Sequence, residues 1–134
     1  MSKIYISAYA GAFITFCLMD GLWLGVVATD FYFGALGGLL REKPHWPMAF
    51  IFYFGYILGI VYFAIRPSLK SGSVKKVFKE GALLGLLAYG TYNMTNMATL
   101  KGWSLSVSSV DIIWGMAITG TSAIGGYFVA QRFR

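Results

Sequence analysis

The chain has 134 residues, of which 57% are hydrophobic and only 12% charged, and its mean hydropathy is +0.66. That balance excludes an ordinary soluble domain of this length and points to a polytopic membrane protein. The net charge of +6 does not mark a nucleic-acid binder, because the basic residues fall between apolar runs, where anionic lipid headgroups attract them.

The first apolar run covers residues 4–28, about 37 Å as a helix, enough to cross a bilayer with tilt. A signal peptide is the rival reading, but the run is long and lacks a small-x-small cleavage site. Asp20 is the only charge inside it, and Tyr5, Tyr9 and Trp23 share its helical face. Cys17, the single cysteine, excludes an intrachain disulfide and is expected to pack as a small apolar residue.

Residues 30–41 are too short to span and carry aromatics at their start. They read as a short interfacial helix with Thr29 or Asp30 as N-cap, although three glycines also suit an ordered loop. Pro44 and Pro47 break the chain, and His45 and Trp46 fall where an interfacial belt is expected. The second span is 47–65, with Pro47 suited to its first turn. Its aromatics, Phe50, Phe52, Tyr53, Phe54, Tyr56, Tyr62 and Phe63, are expected to face lipid or pack rather than stack a cofactor, and Arg66-Pro67 closes it.

After a loop holding Arg66, Lys70, Lys75, Lys76 and Lys79 comes the third span, 81–100. Tyr89, Tyr92, Asn93, Asn96 and Thr99 share one helical face, while Met94, Met97 and Ala98 point elsewhere. A polar stripe against hydrocarbon is costly, so this one should face protein, water or a ligand. Residues 104–110 read as a serine-rich connector, and the fourth span, 111–130, opens with Asp111, suited to N-capping it. Gly115, Thr119, Ser122 and Gly126 leave a smooth groove along that helix. Gly21 and Gly25, Gly55 and Gly59, and Gly81 and Gly85 are further small pairs at spacing four, a spacing that commonly marks close helix contact.

These elements predict an all-α integral membrane protein. It is an antiparallel four-transmembrane-helix bundle with a short interfacial segment after the first helix, a single transmembrane domain over 1–134. Placing the N-terminus in the cytoplasm puts Lys3, the five central-loop cations, Arg132 and Arg134 inside, against Arg41, Lys43 and Lys101 outside. Eight against three is a positive-inside bias, so both termini are expected to be cytoplasmic.

In that topology Asp20, the Asn93–Thr99 stripe and Asp111 all lie near the outer third of the bilayer. The predicted ligand-binding set is Asp20, Trp23, Tyr89, Tyr92, Asn93, Asn96, Thr99, Asp111 and Trp114. Asp20 suits a proton carrier, a ligand counter-charge, a catalytic acid, or a strut that fixes helix register through Asn93 or Asn96. Asp-x-x-Trp occurs twice, at Asp20 and at Asp111, in helices expected to run oppositely. An inverted repeat would produce this, but with four tryptophans in the chain chance explains it better. His45 stands alone, so no metal site is predicted. No Walker loop, GxSxG elbow, dinucleotide fingerprint or His-rich set is present, and no cofactor is assigned.

Over 89–103 and again at Val110-Asp111-Ile112-Ile113-Trp114-Gly115, the chain resembles the DUF2177 family of small bacterial membrane proteins. The core Asn-x-Ala-Thr-Leu-Lys-x-Trp is matched by Asn96, Ala98, Thr99, Leu100, Lys101 and Trp103, and the Met19–Leu24 segment resembles the family's first helix. The likeness covers essentially the whole chain; Ser104 replaces the usual proline, a change expected to alter only the connector. The resemblance implies a four-span protein of the bacterial inner membrane and carries over no catalytic residue. The expected function is therefore binding of a small apolar or lipid-like ligand, or of a proton-coupled solute, at the outer polar site. The alternatives are an accessory or scaffold subunit of a membrane complex and, third, a lipid-modifying enzyme using Asp20 or Asp111 as acid or base; the expected partners are the bilayer itself and a membrane-complex or homo-oligomeric partner.

Overall fold

A computed structural model of the protein describes residues 2–27, 29–39 and 45–134, all helical or in short connections. The expected end of the first span at 28, the end of the interfacial segment at 41, and Pro44 lie outside the described residues. Helix α1 covers Ser2–Leu22 and continues as a π-helical turn through Val27; α2 covers Thr29–Leu36. Helix α3, Trp46–Ile60, runs on through a π turn and a 3-10 turn to Ser68. Helix α4 is Val74–Thr99 and α5 is Leu105–Arg132.

Three stretches, Lys3–Val26, Trp46–Ser68 and Leu105–Arg132, are long and apolar enough to cross a membrane. Helix α4 has the length, 26 residues or about 39 Å. Its apolar character is diluted by Lys75, Lys76, Lys79 and Glu80 in its first two turns and by the amides further on.

Two expected boundaries move. Helix α4 starts at Val74 rather than 81, because Ser73 caps it by accepting from the Lys76 amide at 3.2 Å. The loop lysines Lys75, Lys76 and Lys79 thus belong to its first turns. The serine-rich connector is itself helix. Ser104 caps α5 by accepting from Val107 N at 3.1 Å, and Ser108 and Ser109 turn their hydroxyls back to the carbonyls of Ser104 and Leu105. Serine hydroxyls satisfied four residues back are compatible with a helix interior. Asp111 is therefore not an N-cap: it sits in the second turn, about 10 Å beyond the Ser104 cap along the axis. At the start of α3, His45 Nδ1 accepts from Met48 N at 3.4 Å, and Pro47 occupies the first turn. Thr29 is the first residue of α2 rather than its cap, and Asp30 lies in that helix's first turn.

Helix α5 is the centre of the bundle, packed between α4 and α1. The contacts are backbone-close. A Cβ on Gly81 would lie 2.9 Å from Gly120 Cα, and one on Gly11 would lie 2.9 Å from Gly125 O. In lipid, helix association rests on such contacts rather than on hydrophobic burial. The same test separates the glycine pairs. Gly81 and Gly85 are at the α4–α5 contact, whereas Gly21, Gly25, Gly55 and Gly59 have open space where a Cβ would stand. The core joins Ala8, Ala12 and Phe16 to Ile57, Ile60 and Ala64, and to Ile118, Ala123 and Tyr127. Cys17 does not pack into it; the thiol is exposed on the outer surface of α1. Phe50, Phe54, Tyr62 and Phe63 face outward as expected of α3, while Tyr53 and Tyr56 turn inward.

Candidate functional site

Asp111 joins three elements. Its Oδ1 accepts from the Tyr32 hydroxyl of α2 at 2.8 Å, and its Oδ2 accepts from Asn93 Nδ2 of α4 at 2.8 Å. The Asn93 amide also donates to Tyr89 O at 2.9 Å, four residues back on its own helix. Asn93 is fully buried, and its Oδ1 has no hydrogen-bond partner among the described residues. Trp23 Nε1 donates to the Tyr32 hydroxyl at 3.1 Å, so the end of α1 is tied to α5 through α2.

Asp20 is held differently. Its Oδ2 accepts from the Tyr53 hydroxyl of α3 at 2.9 Å. The buried Trp114 N–H interacts with the same carboxylate without closing a hydrogen bond. The expected strut from Asp20 to Asn93 or Asn96 is not formed: Asn93 serves Asp111, and Asn96 lies beside the Tyr92 hydroxyl. The two Asp-x-x-Trp segments meet crosswise. Trp23 and Trp114 stack at 4.4 Å between centroids and 10° between planes, and each faces the other segment's acid, Trp114 directly and Trp23 through Tyr32. The π turn that begins at Trp23 shifts register one turn after Asp20. Such turns inside α-helices are rare and recur at functional sites.

These groups surround a half-open cavity of about 450 Å³ between α1, α3, α4 and α5. Asp20, Trp23, Tyr89, Tyr92, Asp111 and Trp114, six of the nine predicted residues, line it. Asn93 stands behind Asp111. Thr99 is apart: it is exposed and bonds Thr95 O of its own helix at 2.8 Å. The helical period explains the split, since Thr99 lies about 80° around the axis from Tyr89. Gly115 shapes the wall from behind, because a Cβ there would overlap the Tyr89 ring. Below the cavity a second polar contact crosses the bundle, Tyr56 Oη to Thr119 Oγ1 at 2.8 Å.

Tyr53, Phe52, Leu24, Ala49 and Ala88 on the lining, and Tyr32 behind it, lie outside the predicted set. Tyr53 carried a usable signal, its phase with Tyr56, Ile57 and Ile60 on the inward face of α3. Tyr32 carried none, because the placement of a short helix depends on what it docks against. Among the described residues no three or more His, Cys, Asp or Glu side chains are grouped to hold a metal.

Fold and site together define a helical membrane protein with an acidic, aromatic-walled cavity among its long helices. The chain belongs to the DUF2177 family, described as predicted membrane protein, whose model matches residues 5–128. No curated protein and no solved structure matches it.

Proposed function

We propose that the protein binds a small, largely apolar molecule in the cavity between Asp20 and Asp111, without transforming it. One observation carries the reading: six residues chosen from helical phase and depth line one cavity of about 450 Å³, a volume typical of small-molecule sites. Asp20 and Asp111 supply the polar contacts and the stacked Trp23–Trp114 pair a wall. All four long helices, α4 included, cross the inner membrane of a bacterium as one domain, with both termini cytoplasmic and the cavity toward the outer leaflet. Filling the cavity tests this. Protein purified with its co-extracted small molecules should lose a bound species when Ala88→Phe is introduced, as read by native mass spectrometry. Identical bound species in wild type and variant would overturn it.

A second reading, an accessory subunit, is favoured by Gly21, Gly25, Gly55 and Gly59. These pairs at spacing four have no described residue within 4 Å of where a Cβ would stand, as a helix-docking surface would. Cross-linking in native membranes separates the two: a monomer with an occupied cavity excludes the subunit role.

A further inference from the structure

We infer that the ligand of this cavity is a lipophilic organic cation, an amine, quaternary ammonium or phosphonium group on an apolar body, with Asp20 as its counter-charge. This rests on the cavity reading above and adds the charge and class of the ligand. Among the described residues the only charged groups on the lining are Asp20 and Asp111; no lysine, arginine or histidine is there. Tyr53, Trp114 and the like charge of Asp111 act on Asp20, and among the described residues no cation does. A carboxylate away from water needs a positive partner or its equivalent in hydrogen bonds.

The two acids differ in how far the protein meets that need. Asp111 has a donor on each oxygen, Tyr32 on one and Asn93 on the other. Among the described residues Asp20 has one closed hydrogen bond, from Tyr53, for about four acceptor positions on a carboxylate. Trp114 Nε1, on the same lining, is buried without a closed bond to any described residue. The open capacity therefore gathers at Asp20 and faces the cavity.

The remaining lining selects among cations. Phe52, Tyr53, Tyr89, Tyr92, Trp23 and Trp114 present aromatic rings, which attract a cation through their faces and are largely apolar otherwise. A bare divalent metal wants six or more oxygen ligands or a dedicated cage, and this wall does not offer them. An anion would meet two carboxylates, and a neutral hydrocarbon would leave Asp20 unmatched. A monocation spread over an apolar body satisfies both the acid and the rings.

The test uses the full chain in lipid nanodiscs and three probes of similar shape: tetraphenylphosphonium, neutral triphenylphosphine oxide and anionic tetraphenylborate. Binding is measured by equilibrium dialysis against empty nanodiscs of the same lipid. The phosphonium should bind saturably and at least tenfold more tightly than the oxide, with no saturable borate binding. Asp20→Asn should lose tenfold or more for the phosphonium and keep its affinity for the oxide, while Asp20→Glu retains phosphonium binding. Equal affinity for phosphonium and oxide, or tighter borate binding, overturns the cationic ligand and leaves the cavity reading standing. No saturable binding by phosphonium or oxide overturns both. If Asp20→Asn does not fold, the wild-type ratio of phosphonium to oxide decides the matter.

Discussion

At the scale of single residues, the junction at Asp111 shows how little polar contact is needed to fasten four segments. Tyr32 receives from Trp23 and donates to Asp111, and Asn93 closes the other side. The sequence marked Asp111, Asn93 and Trp23 because polar groups within apolar runs are conspicuous. It left Tyr32 unmarked because a tyrosine in an interfacial stretch is ordinary. Replacing Tyr32 with Phe should leave Asp111 Oδ1 and Trp23 Nε1 without that partner. Hydrogen bonds between membrane helices average about 0.6 kcal/mol and reach about 1.7. Because two bonds end on one hydroxyl, the loss should lie toward the upper figure, as measured by unfolding in mixed micelles. A stability unchanged within a few tenths of a kcal/mol would mean that water replaces the hydroxyl.

At the scale of elements, glycine decides which helices touch. A Cβ on Gly85 would collide with the carbonyl of Gly115, and one on Gly55 would meet nothing within 4 Å. Exchanging glycine for alanine inside a helix is favourable by about 0.5–1 kcal/mol when space permits. Gly55→Ala should therefore raise the stability of the isolated protein slightly, while Gly85→Ala should lower it by displacing α5. Thermal unfolding of the two variants in one detergent reads opposite signs; the same sign for both would discount the close α4–α5 contact. If a partner docks on α3, Gly55→Ala should also weaken that complex in native membranes while leaving the isolated chain intact. The long α5 follows the same logic. Ser104 caps it seven residues before the expected start and carries the serines into the helix. That lengthening sets Asp111 at the level of Tyr32 and Asn93.

At the scale of the molecule, charge and chemistry separate along the helices. Arg66, Lys70, Lys75, Lys76, Arg132 and Arg134 gather where α3, α4 and α5 meet, and Arg134 donates to the Leu69 carbonyl across that end. Arg66 lies over the Tyr62 ring at 5.0 Å, a cation–π contact suited to the headgroup level. The acids Asp20 and Asp111 lie toward the opposite end. Positive-inside bias then predicts cytoplasmic termini. Reporter domains that signal only inside the cell should be active when fused after Arg134 and silent when inserted between Lys101 and Ser104. The reverse pattern would invert the bundle and turn the cavity toward the cytoplasm.

Composition, apolar run lengths and the helical period by themselves determined the membrane class, the four long helices and most of the inward-facing polar groups. They determined these because each depends only on residues close in the chain. Tertiary structure alone decided that Tyr53 rather than an asparagine serves Asp20, that Tyr32 reaches Asp111, and that Gly55 and Gly59 face outward while Gly81 and Gly85 pack. Those outcomes depend on how helices rotate about their axes and where a short helix docks, and such non-local contacts leave no period in the sequence.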